Sequence, residues 1–186
     1  MEQRALVVRA MRGDADAFDA LVATTIGRLD GAARLILRDP VRAEDAVQEA
    51  YAKAWRDLPG LRDPDRFEAW LRRLVVHACY DELRRARRRP IQVHPDGLDD
   101  LLISDGEEVL ADRDALERAV RGLDIDLRTV VVLFYYLDLP VPEVAQAAGI
   151  AVGTAKSRLF RARAELRSAL GEPAEARGDS PLEGRA

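Results

Sequence analysis

The sequence predicts an all-α protein made of two small helical domains joined by a flexible acidic linker. Its composition, with 48% hydrophobic and only 5% aromatic residues, is rich in Ala, Leu, Arg and Glu and favours helices over sheets. Apolar residues recur at three- and four-residue spacing in two separate blocks. Between the blocks lies a stretch of prolines, glycines and acids without steady periodicity.

The domain boundaries follow from the positions where this periodicity stops. We expect residues 1–89 to form the first module, 90–110 the linker, 111–170 the second module and 171–186 a disordered tail. The linker and the tail are rich in proline, glycine and charge, a composition that disfavours a packed core.

In the first module the pattern predicts a turn at Gly13, a helix through Arg28 to Leu37 and another from Ala43 to Leu58. The residue before Pro40 is pushed out of the helical region, so a helix should end there. After a loop rich in proline and glycine comes the longest periodic run of the chain. Its apolar stripe consists of Phe67, Trp70, Leu71, Leu74, Val75, Ala78 and Cys79.

The opposite side of this long helix is basic and partly aromatic. It carries Arg73, His77, Tyr80, Arg84 and Arg88. Aromatic rings on which bases stack, beside cations that hold phosphates, are the means by which proteins bind single-stranded nucleic acid. Phe67 and Trp70 lie on the apolar stripe instead, and we interpret them as core residues.

The second module is predicted to contain a helix around Leu116, Val120 and Leu123 and another from Asp126 to Leu137. Residues 142–167 then divide into a short helix, a turn at Gly149 and a second helix, the spacing of a helix-turn-helix. The outward and flanking positions of that second helix carry Thr154, Lys156, Ser157, Arg158, Arg161 and Arg163. Arginine can bind guanine in the major groove, whereas lysine and hydroxyl groups suit phosphates. The alternative is an ordinary solvated basic face.

The charge of the chain is also divided between the two modules and the linker. The net charge of -4 hides a segment of +5 from Arg72 to Arg89 and one of +4 from Lys156 to Arg167. Between them, Asp96 to Glu117 carries nine acids and one arginine, a net -8. Two basic islands separated by an acidic stretch are compatible with nucleic-acid binding despite the overall acidity.

Several functional classes are excluded by what the sequence lacks. Cys79 is the only cysteine, interpreted as a core residue, and His77 and His94 are the only histidines, so we expect no metal. Without a phosphate-binding glycine loop or a nucleophile motif, we expect no cofactor and no enzymatic activity. Asp81 and Glu82 are interpreted as ion-pair partners of nearby arginines. No apolar stretch approaches the roughly 20 residues of a membrane span, so we expect no membrane insertion and a cytoplasmic protein.

The helix-turn-helix resembles region 4.2 of the extracytoplasmic-function sigma factors. The run GTAKSRLFRARAELR is similar to the family pattern G-T-V-K-S-R-L-x-R-A-R, and LPVPEVAQAAG to L-S-x-x-E-I-A-x-x-L-G. The resemblance implies that the second helix recognises the promoter -35 element. Pro140 and Ala151 stand where the family has helix-capping Ser or Thr, a loss that costs about 0.5–2 kcal/mol.

The first module resembles regions 2.2 to 2.4 of the same family. EDAVQEAYAKAWRDL is similar to region 2.2, which implies that Asp45, Gln48 and Glu49 dock on the clamp of the largest RNA polymerase subunit. A solvated stripe with no partner is the alternative. RFEAWLRRLVVHACYDELRRARRR is similar to regions 2.3 and 2.4, with Phe67, Trp70, Leu71, Asp81, Arg84 and Arg85 in register.

The same resemblance implies that this module holds the melted -10 strand, whose unstacked base the family captures in the loop from Leu58 to Arg66. The expected -10 residues are Arg62, Arg73, His77, Tyr80, Arg84, Arg85 and Arg88. His77 stands where the family has Asn, so the -10 preference of other members is not inherited.

Together these motifs predict a transcription initiation factor without catalytic chemistry, with core RNA polymerase, promoter DNA and an anti-sigma factor as partners. Two other classes fit parts of the sequence. A helix-turn-helix regulator would bind duplex DNA unaided, commonly as a dimer. A helical adaptor would bind protein alone. The basic aromatic helix argues against the regulator, and the two basic islands argue against the adaptor.

Overall fold

Within the part of the chain that the computed structural model describes, residues 2–88 and 107–171, all regular structure is helical. Side chains are described for residues 2–86 and 115–171. The chain divides into two compact units, Met1–Gly97 and Leu98–Ala186. The prediction of an all-α chain with two small helical domains is therefore confirmed. None of the described helices is both long enough and apolar enough to cross a membrane.

The first unit begins with two helices, α1 (Glu2–Ala10) and α2 (Ala15–Leu37). Gly13, with φ +90°, makes the predicted turn between them. Asp14 then caps α2 by accepting a hydrogen bond from the backbone N–H of Ala17 at 3.0 Å. The turn residue and the cap together explain why the chain reverses here.

The prediction of a separate helix from Arg28 was wrong, because α2 continues without a break through Gly27. A glycine inside a helix costs about 1 kcal/mol relative to alanine. Here the apolar side chains on either side of it, Leu21 and Leu29, are both buried in the core. Tertiary packing therefore outweighs the local preference.

Helix α3 (Pro40–Asp57) starts where the proline rule places a boundary. Arg38 ends α2 in the left-handed conformation, with φ 59°. Asp39 then accepts hydrogen bonds from the backbone N–H groups of Val41 and Arg42, each at 3.1 Å. Two short 3-10 turns, Leu58–Gly60 and Pro64–Arg66, form the loop that follows.

Helix α4 (Phe67–Arg88) packs on α2 and α3 and completes the core of the first unit. Phe67, Leu71 and Val75 are buried, as the apolar stripe predicts. Trp70 is only partly buried, so its interpretation as a core residue needs correction. Its ring lies against Phe67 with centroids 6.2 Å apart.

Cys79 is fully buried in the same helix, which confirms its interpretation as a core residue. Burial raises the pKa of its thiol to about 12. Because the thiolate is the reactive form, this cysteine is chemically inert at neutral pH.

The second unit contains α5 (Glu107–Gly122), α6 (Ile125–Val131), α7 (Val141–Ala148) and α8 (Val152–Ala169). Helix α5 begins at Glu107, inside the segment predicted as linker. Helix α6 continues into a π-helical turn, Val132–Tyr136. The core includes a cluster formed by Leu123, Leu127, Val131 and Ala162, with Leu166 packed against it.

Helices α7 and α8 form the predicted helix-turn-helix, and Gly149 closes α7 with φ 68°. Pro140 and Ala151 occupy the N-cap positions of α7 and α8, and neither makes a side-chain capping hydrogen bond. The predicted absence of two caps is therefore confirmed. The rest of the predicted linker, 90–106, and the tail after Gly171 lie outside the described residues.

The uncapped start of α8 leads to a stability prediction. Ala151 has the extended backbone of an N-cap residue, with φ -69° and ψ 149°, so a serine here can accept a hydrogen bond from the first turn. We expect Ala151→Ser to stabilise α8 by about 0.5–2 kcal/mol, measured by amide hydrogen exchange of α8. Ala164→Ser, at an exposed position inside the same helix, is the control and should be neutral or slightly destabilising. Equal stabilisation at both positions would contradict the capping argument.

Candidate nucleic-acid interface

The outward side of α8 is defined by what the helix buries. Ala155, Leu159 and Ala162 are fully buried against the other helices of the unit. At 100° per residue, the opposite side carries Thr154, Ser157, Phe160 and Arg161, all of which are exposed. We call these four residues the outward face of α8. It combines hydroxyl, aromatic and cationic groups along one side of a helix.

Phe160 belongs to this face and was missed by the sequence analysis. Its side chain is 67% exposed. Its spacing of three residues from Ser157 was the signal that could have found it. An exposed phenylalanine on a helix that enters the major groove can contact the methyl group of thymine.

Among the arginines of α8, Arg161 has the most exposed side chain. Its side chain is 69% exposed, and its nearest described carboxylate, Glu165, is 4.0 Å away. Lys156 is also exposed. Arg163 is half-buried, and its Nε donates a hydrogen bond to the phenol oxygen of Tyr135 at 2.7 Å.

Arg158 lies at the edge of the outward face. Its side chain is 23% exposed, and its Nη2 donates to Oδ2 of Asp126 on α6 at 2.5 Å. Arg158 and Arg161 share the outward side of the predicted helix, but the tertiary structure gives the two arginines different surroundings. Part of the charge of Arg158 is already neutralised within the chain.

The basic side of α4 is arranged as the periodicity predicts. Arg73, His77 and Arg84 are exposed, and Tyr80 is partly exposed. Their spacing of four, three and four residues keeps them on one side of the helix. The side chain of Arg88, at the end of α4, is outside the described part of the chain. The described residues therefore form a strip in which two aromatic rings lie between two arginines.

Acidic residues on α4 hold two of its arginines. Arg84 forms an ion pair with Asp81, and Arg85 donates to Glu82 at 2.5 Å. Both pairs join residues three positions apart on the helix. The interpretation of Asp81 and Glu82 as ion-pair partners is therefore confirmed.

A second carboxylate holds Arg85 from a different helix. The two terminal nitrogens of Arg85 donate to the two oxygens of Glu49 on α3, at 2.7 and 3.0 Å. These hydrogen bonds hold the pKa of Glu49 below its ordinary value and raise that of Arg85. The expected polymerase-docking stripe on α3 and the basic side of α4 thus meet at this contact.

The other members of the α3 stripe are more available. Asp45 and Gln48 are exposed, and Gln48 donates to Glu44 one turn earlier at 3.1 Å. The stripe lies opposite the buried residues Ala46, Val47 and Ala50. It can therefore present carboxylate and amide groups to another surface.

The loop between α3 and α4 is held from two sides. Asp63 accepts a hydrogen bond from the backbone N–H of Asp65 at 3.0 Å, and α1 reaches the loop through an ion pair between Arg4 and Asp65. Arg62 projects from this loop and is exposed. The contribution of α1 was not predicted, because a contact across more than 60 residues leaves no trace in local periodicity.

The described side chains provide no group of three or more His, Cys, Asp or Glu residues that could hold a metal ion. The chemistry available on both basic surfaces is hydrogen bonding, stacking and charge. These surfaces suit binding to a polyanion.

Each of the two units matches a known protein family. Residues 21–89 match the family model of sigma-70 region 2, and residues 113–166 match that of sigma-70 region 4. These matches identify the chain as a transcription initiation factor that binds DNA. The chain belongs to the sigma-70 family of RNA polymerase sigma factors, within the extracytoplasmic-function group.

Relatives cover nearly the whole chain. The ECF RNA polymerase sigma factor SigM of Mycobacterium tuberculosis is 35% identical over 170 residues, which span 89% of this chain and 83% of SigM. The RNA polymerase sigma-H factor of Pseudomonas aeruginosa is 32% identical over 185 residues, spanning 91% of this chain and 94% of that protein.

Among solved structures, CnrH in complex with the cytosolic domain of CnrY is similar, with a TM-score of 0.68 and 28% identity over 92% of this chain and 98% of that chain. The sigma factor RpoE, from a complex with the anti-sigma factor NepR from Bartonella quintana, shares the fold, with a TM-score of 0.64 and 24% identity over 83% of this chain and 96% of that chain.

Membership of this family defines the general activity. The chain is a sigma factor, which binds core RNA polymerase and directs promoter-specific initiation through the -10 and -35 elements. It is not an enzyme. Its contribution to initiation is binding, which depends on the side chains that each unit exposes.

The surroundings of His77 give a prediction about charge on the basic side of α4. His77 is exposed overall, but desolvation of its ring by the surrounding chain, and then the nearby Arg73, lower its pKa below the ordinary 6.5. We therefore expect the imidazole of His77 to be neutral at pH 7. An NMR titration of the His94→Gln variant, in which His77 is the only histidine, should give a midpoint below pH 6.5. Because its pKa is lower in the folded than in the unfolded chain, its contribution to stability is lost as the pH falls.

The cause of the shift is tested by two arginine variants. Arg73→Ala should raise the pKa of His77 towards 6.5. Arg72→Ala, which removes a neighbouring charge that pairs with Glu68 at 3.3 Å, should leave it unchanged. A titration of His77 above 6.5 in the parent chain would contradict the prediction.

Proposed function

We propose that the two units act at separate places on the promoter once the chain is mounted on core RNA polymerase. The second unit inserts α8 into the major groove of the -35 element. The first docks through α3 and holds the melted -10 strand along α4. The observation that carries the proposal is the outward face of α8, in which Ser157, Phe160 and Arg161 are exposed on one side of the second helix of a helix-turn-helix.

Within the -35 interface, each side chain has a role that suits its surroundings. Arg161 and Phe160 contact base edges, and Thr154, Ser157 and Lys156 contact phosphates. Arg158 reaches DNA from the edge of the face, where Asp126 orients it. Arg163 contacts the backbone from the other edge. This division places the most exposed groups at the centre of the groove.

Within the -10 interface, α4 and the loop before it receive a single strand. Tyr80 and His77 offer stacking surfaces, and Arg73 and Arg84 hold phosphates along the same side of the helix. Arg62 contacts the strand from the loop. We also assign Arg85 and Arg88 to the -10 strand, with Arg85 exchanging a carboxylate partner for a phosphate. Both are charge-assisted contacts, so the exchange replaces one strong hydrogen bond with another.

The docking stripe on α3 consists of Asp45, Gln48 and Glu49, and we assign it to the clamp of the largest polymerase subunit. Asp45 and Gln48 are the direct contacts, because Glu49 already binds Arg85 inside the chain. A carboxylate stripe on a packed helix complements a basic partner surface and speeds its encounter. We further propose that the chain acts in the cytoplasm, where polymerase and promoter DNA are found.

We also propose that an anti-sigma protein holds the free chain inactive. The similar solved structures include a sigma factor bound to an anti-sigma factor and CnrH bound to the cytosolic domain of CnrY. Such a partner would cover the same exposed side chains that bind polymerase and DNA. Competition for one surface is sufficient to explain inhibition without a conformational change.

Reconstitution tests the proposal as a whole. Purified chain is added to core polymerase with promoter fragments selected from the source genome, and transcripts are mapped at their 5′ ends. Specific initiation that depends on both elements is expected. Tight binding of the chain alone to intact duplex DNA, together with failure to associate with core polymerase, would overturn it.

The -35 assignment predicts the effect of Arg161→Ala. Loss of one good base contact costs about 1–3 kcal/mol, so we expect about fivefold to 150-fold weaker binding of holoenzyme to a promoter with an intact -35 element. Association with core polymerase should be unchanged. Arg118→Ala, which removes the same charge from exposed α5, is the control for net charge in the DNA-binding assay. Equal loss of polymerase and DNA binding would rule out this division of labour.

The docking assignment predicts the effect of Asp45→Asn. Loss of one exposed charge pair costs roughly 1 kcal/mol, or about fivefold in affinity for core polymerase. The loss should shrink at high salt, because exposed charge interactions are screened. Asp57→Asn, which removes a charge from the exposed end of α3, should have no effect. Fluorescence titration of core polymerase measures both variants, and equal losses would contradict the assignment.

A further inference from the structure

Arg163 is held by two aromatic residues of the π-helical turn. Its Nε donates to the phenol oxygen of Tyr135 at 2.7 Å. Its guanidinium carbon lies 5.8 Å from the ring centroids of both Phe134 and Tyr135. The two rings themselves meet edge to face, with centroids 4.9 Å apart. One hydrogen bond and two cation–π contacts therefore fix the position of the guanidinium.

The fixed guanidinium keeps its outer donors available. The hydrogen bond to Tyr135 uses Nε, and it is the only side-chain hydrogen bond that Arg163 makes within the described residues. The two terminal nitrogens carry the remaining four N–H groups in a planar arrangement. This pair of nitrogens is the group with which arginine binds phosphate bidentately.

The π-helical turn explains why Tyr135 is available to make this contact. The backbone N–H of Leu137 donates to the carbonyl of Val132, five residues earlier, at 3.0 Å. The wider turn keeps Leu133 and Phe134 buried while Tyr135 is 54% exposed. Single π-helical turns inside α-helices occur frequently at functional sites.

The position of Arg163 on α8 connects it with the outward face. Lys156, Phe160 and Arg163 are spaced at i, i+4 and i+7, so they follow one edge of that face. Tyr135 stands beside this edge from another part of the unit. A phosphate that follows this edge would meet the terminal nitrogens of Arg163.

We propose that Tyr135 is a positioning residue for -35 binding, which fixes Arg163 so that its terminal nitrogens bind one phosphate of the duplex. The proposal rests on the proposed function of α8 and adds to it a residue from outside the helix-turn-helix. Tyr135 acts through Arg163. Pre-ordering the arginine reduces the side-chain entropy that is lost when DNA binds.

Tyr135→Phe is the central test, because it removes one oxygen atom and keeps the ring. The variant holoenzyme is titrated with a promoter fragment carrying an intact -35 element and with one in which that element is scrambled. We expect binding to the intact promoter to weaken by about threefold to tenfold, the value of one hydrogen bond. Tyr136→Phe, which removes the same atom from the adjacent exposed tyrosine, should bind like the parent.

A double-mutant cycle separates positioning from a general effect on stability. Arg163→Ala should weaken binding and reduce the slope of log K against log salt concentration by about one, as expected for one lost phosphate contact. In that background, Tyr135→Phe should cause no further loss. A loss from Tyr135→Phe that persists without Arg163, or binding by Tyr135→Phe equal to that of the parent, would overturn the proposal.

The result for Arg161→Ala distinguishes failure of this inference from failure of the proposed function. If Arg163→Ala binds normally while Arg161→Ala does not, α8 binds the -35 element without Arg163 and the role of Tyr135 is refuted. If both variants bind normally, the assignment of α8 itself fails. Thermal unfolding of each variant, expected within a few degrees of the parent, verifies that all of them are folded.

Discussion

Burial of one side of α4 and one side of α8 is the constraint on which the functional surfaces depend. In α8, three small or branched side chains, Ala155, Leu159 and Ala162, pack against the rest of the unit and fix the rotation of the helix about its axis. In α4, Phe67 and Leu71 do the same. Once that rotation is fixed, the outward residues follow from helical geometry. Hydrophobic packing therefore determines which polar groups can meet DNA.

The carboxylates of the chain modify the surfaces that this packing creates. Glu49 and Asp126 each hold an arginine that the basic islands would otherwise present to solvent. Both are charge-assisted contacts, so a phosphate that replaces the carboxylate offers the arginine a partner of the same kind. The protein thus carries its basic residues in a partly neutralised form, which is consistent with a net charge of -4 on a DNA-binding factor.

Two aromatic residues lie at the surface of the second unit rather than in its core. Phe160 offers an apolar contact on the outward face of α8, and Tyr135 holds an arginine at its edge. Neither side chain is required to fill the core. Their exposure is consistent with selection for binding rather than for stability, because the fold buries other aromatic residues, Phe67 and Phe134, where packing is needed.

The sequence by itself determined the helical class, the two units, the helix-turn-helix and the outward sides of α4 and α8. These features depend on spacing within single helices, where periodicity is sufficient to assign residues to a face. Local turn chemistry likewise predicted the left-handed Gly149 and the uncapped Ala151. The continuity of α2 through Gly27 was not predicted, because it depends on the packing of Leu21 and Leu29 in the core.

Only the tertiary structure decided which of the candidate arginines are held by a side chain from another helix. The partners of Arg85, Arg158 and Arg163 lie 36, 32 and 28 residues away along the chain. Such contacts exist only after helices from different segments have packed together. Periodicity therefore identified the surfaces, and helix packing determined the orientation and the remaining hydrogen-bonding capacity of the groups on them.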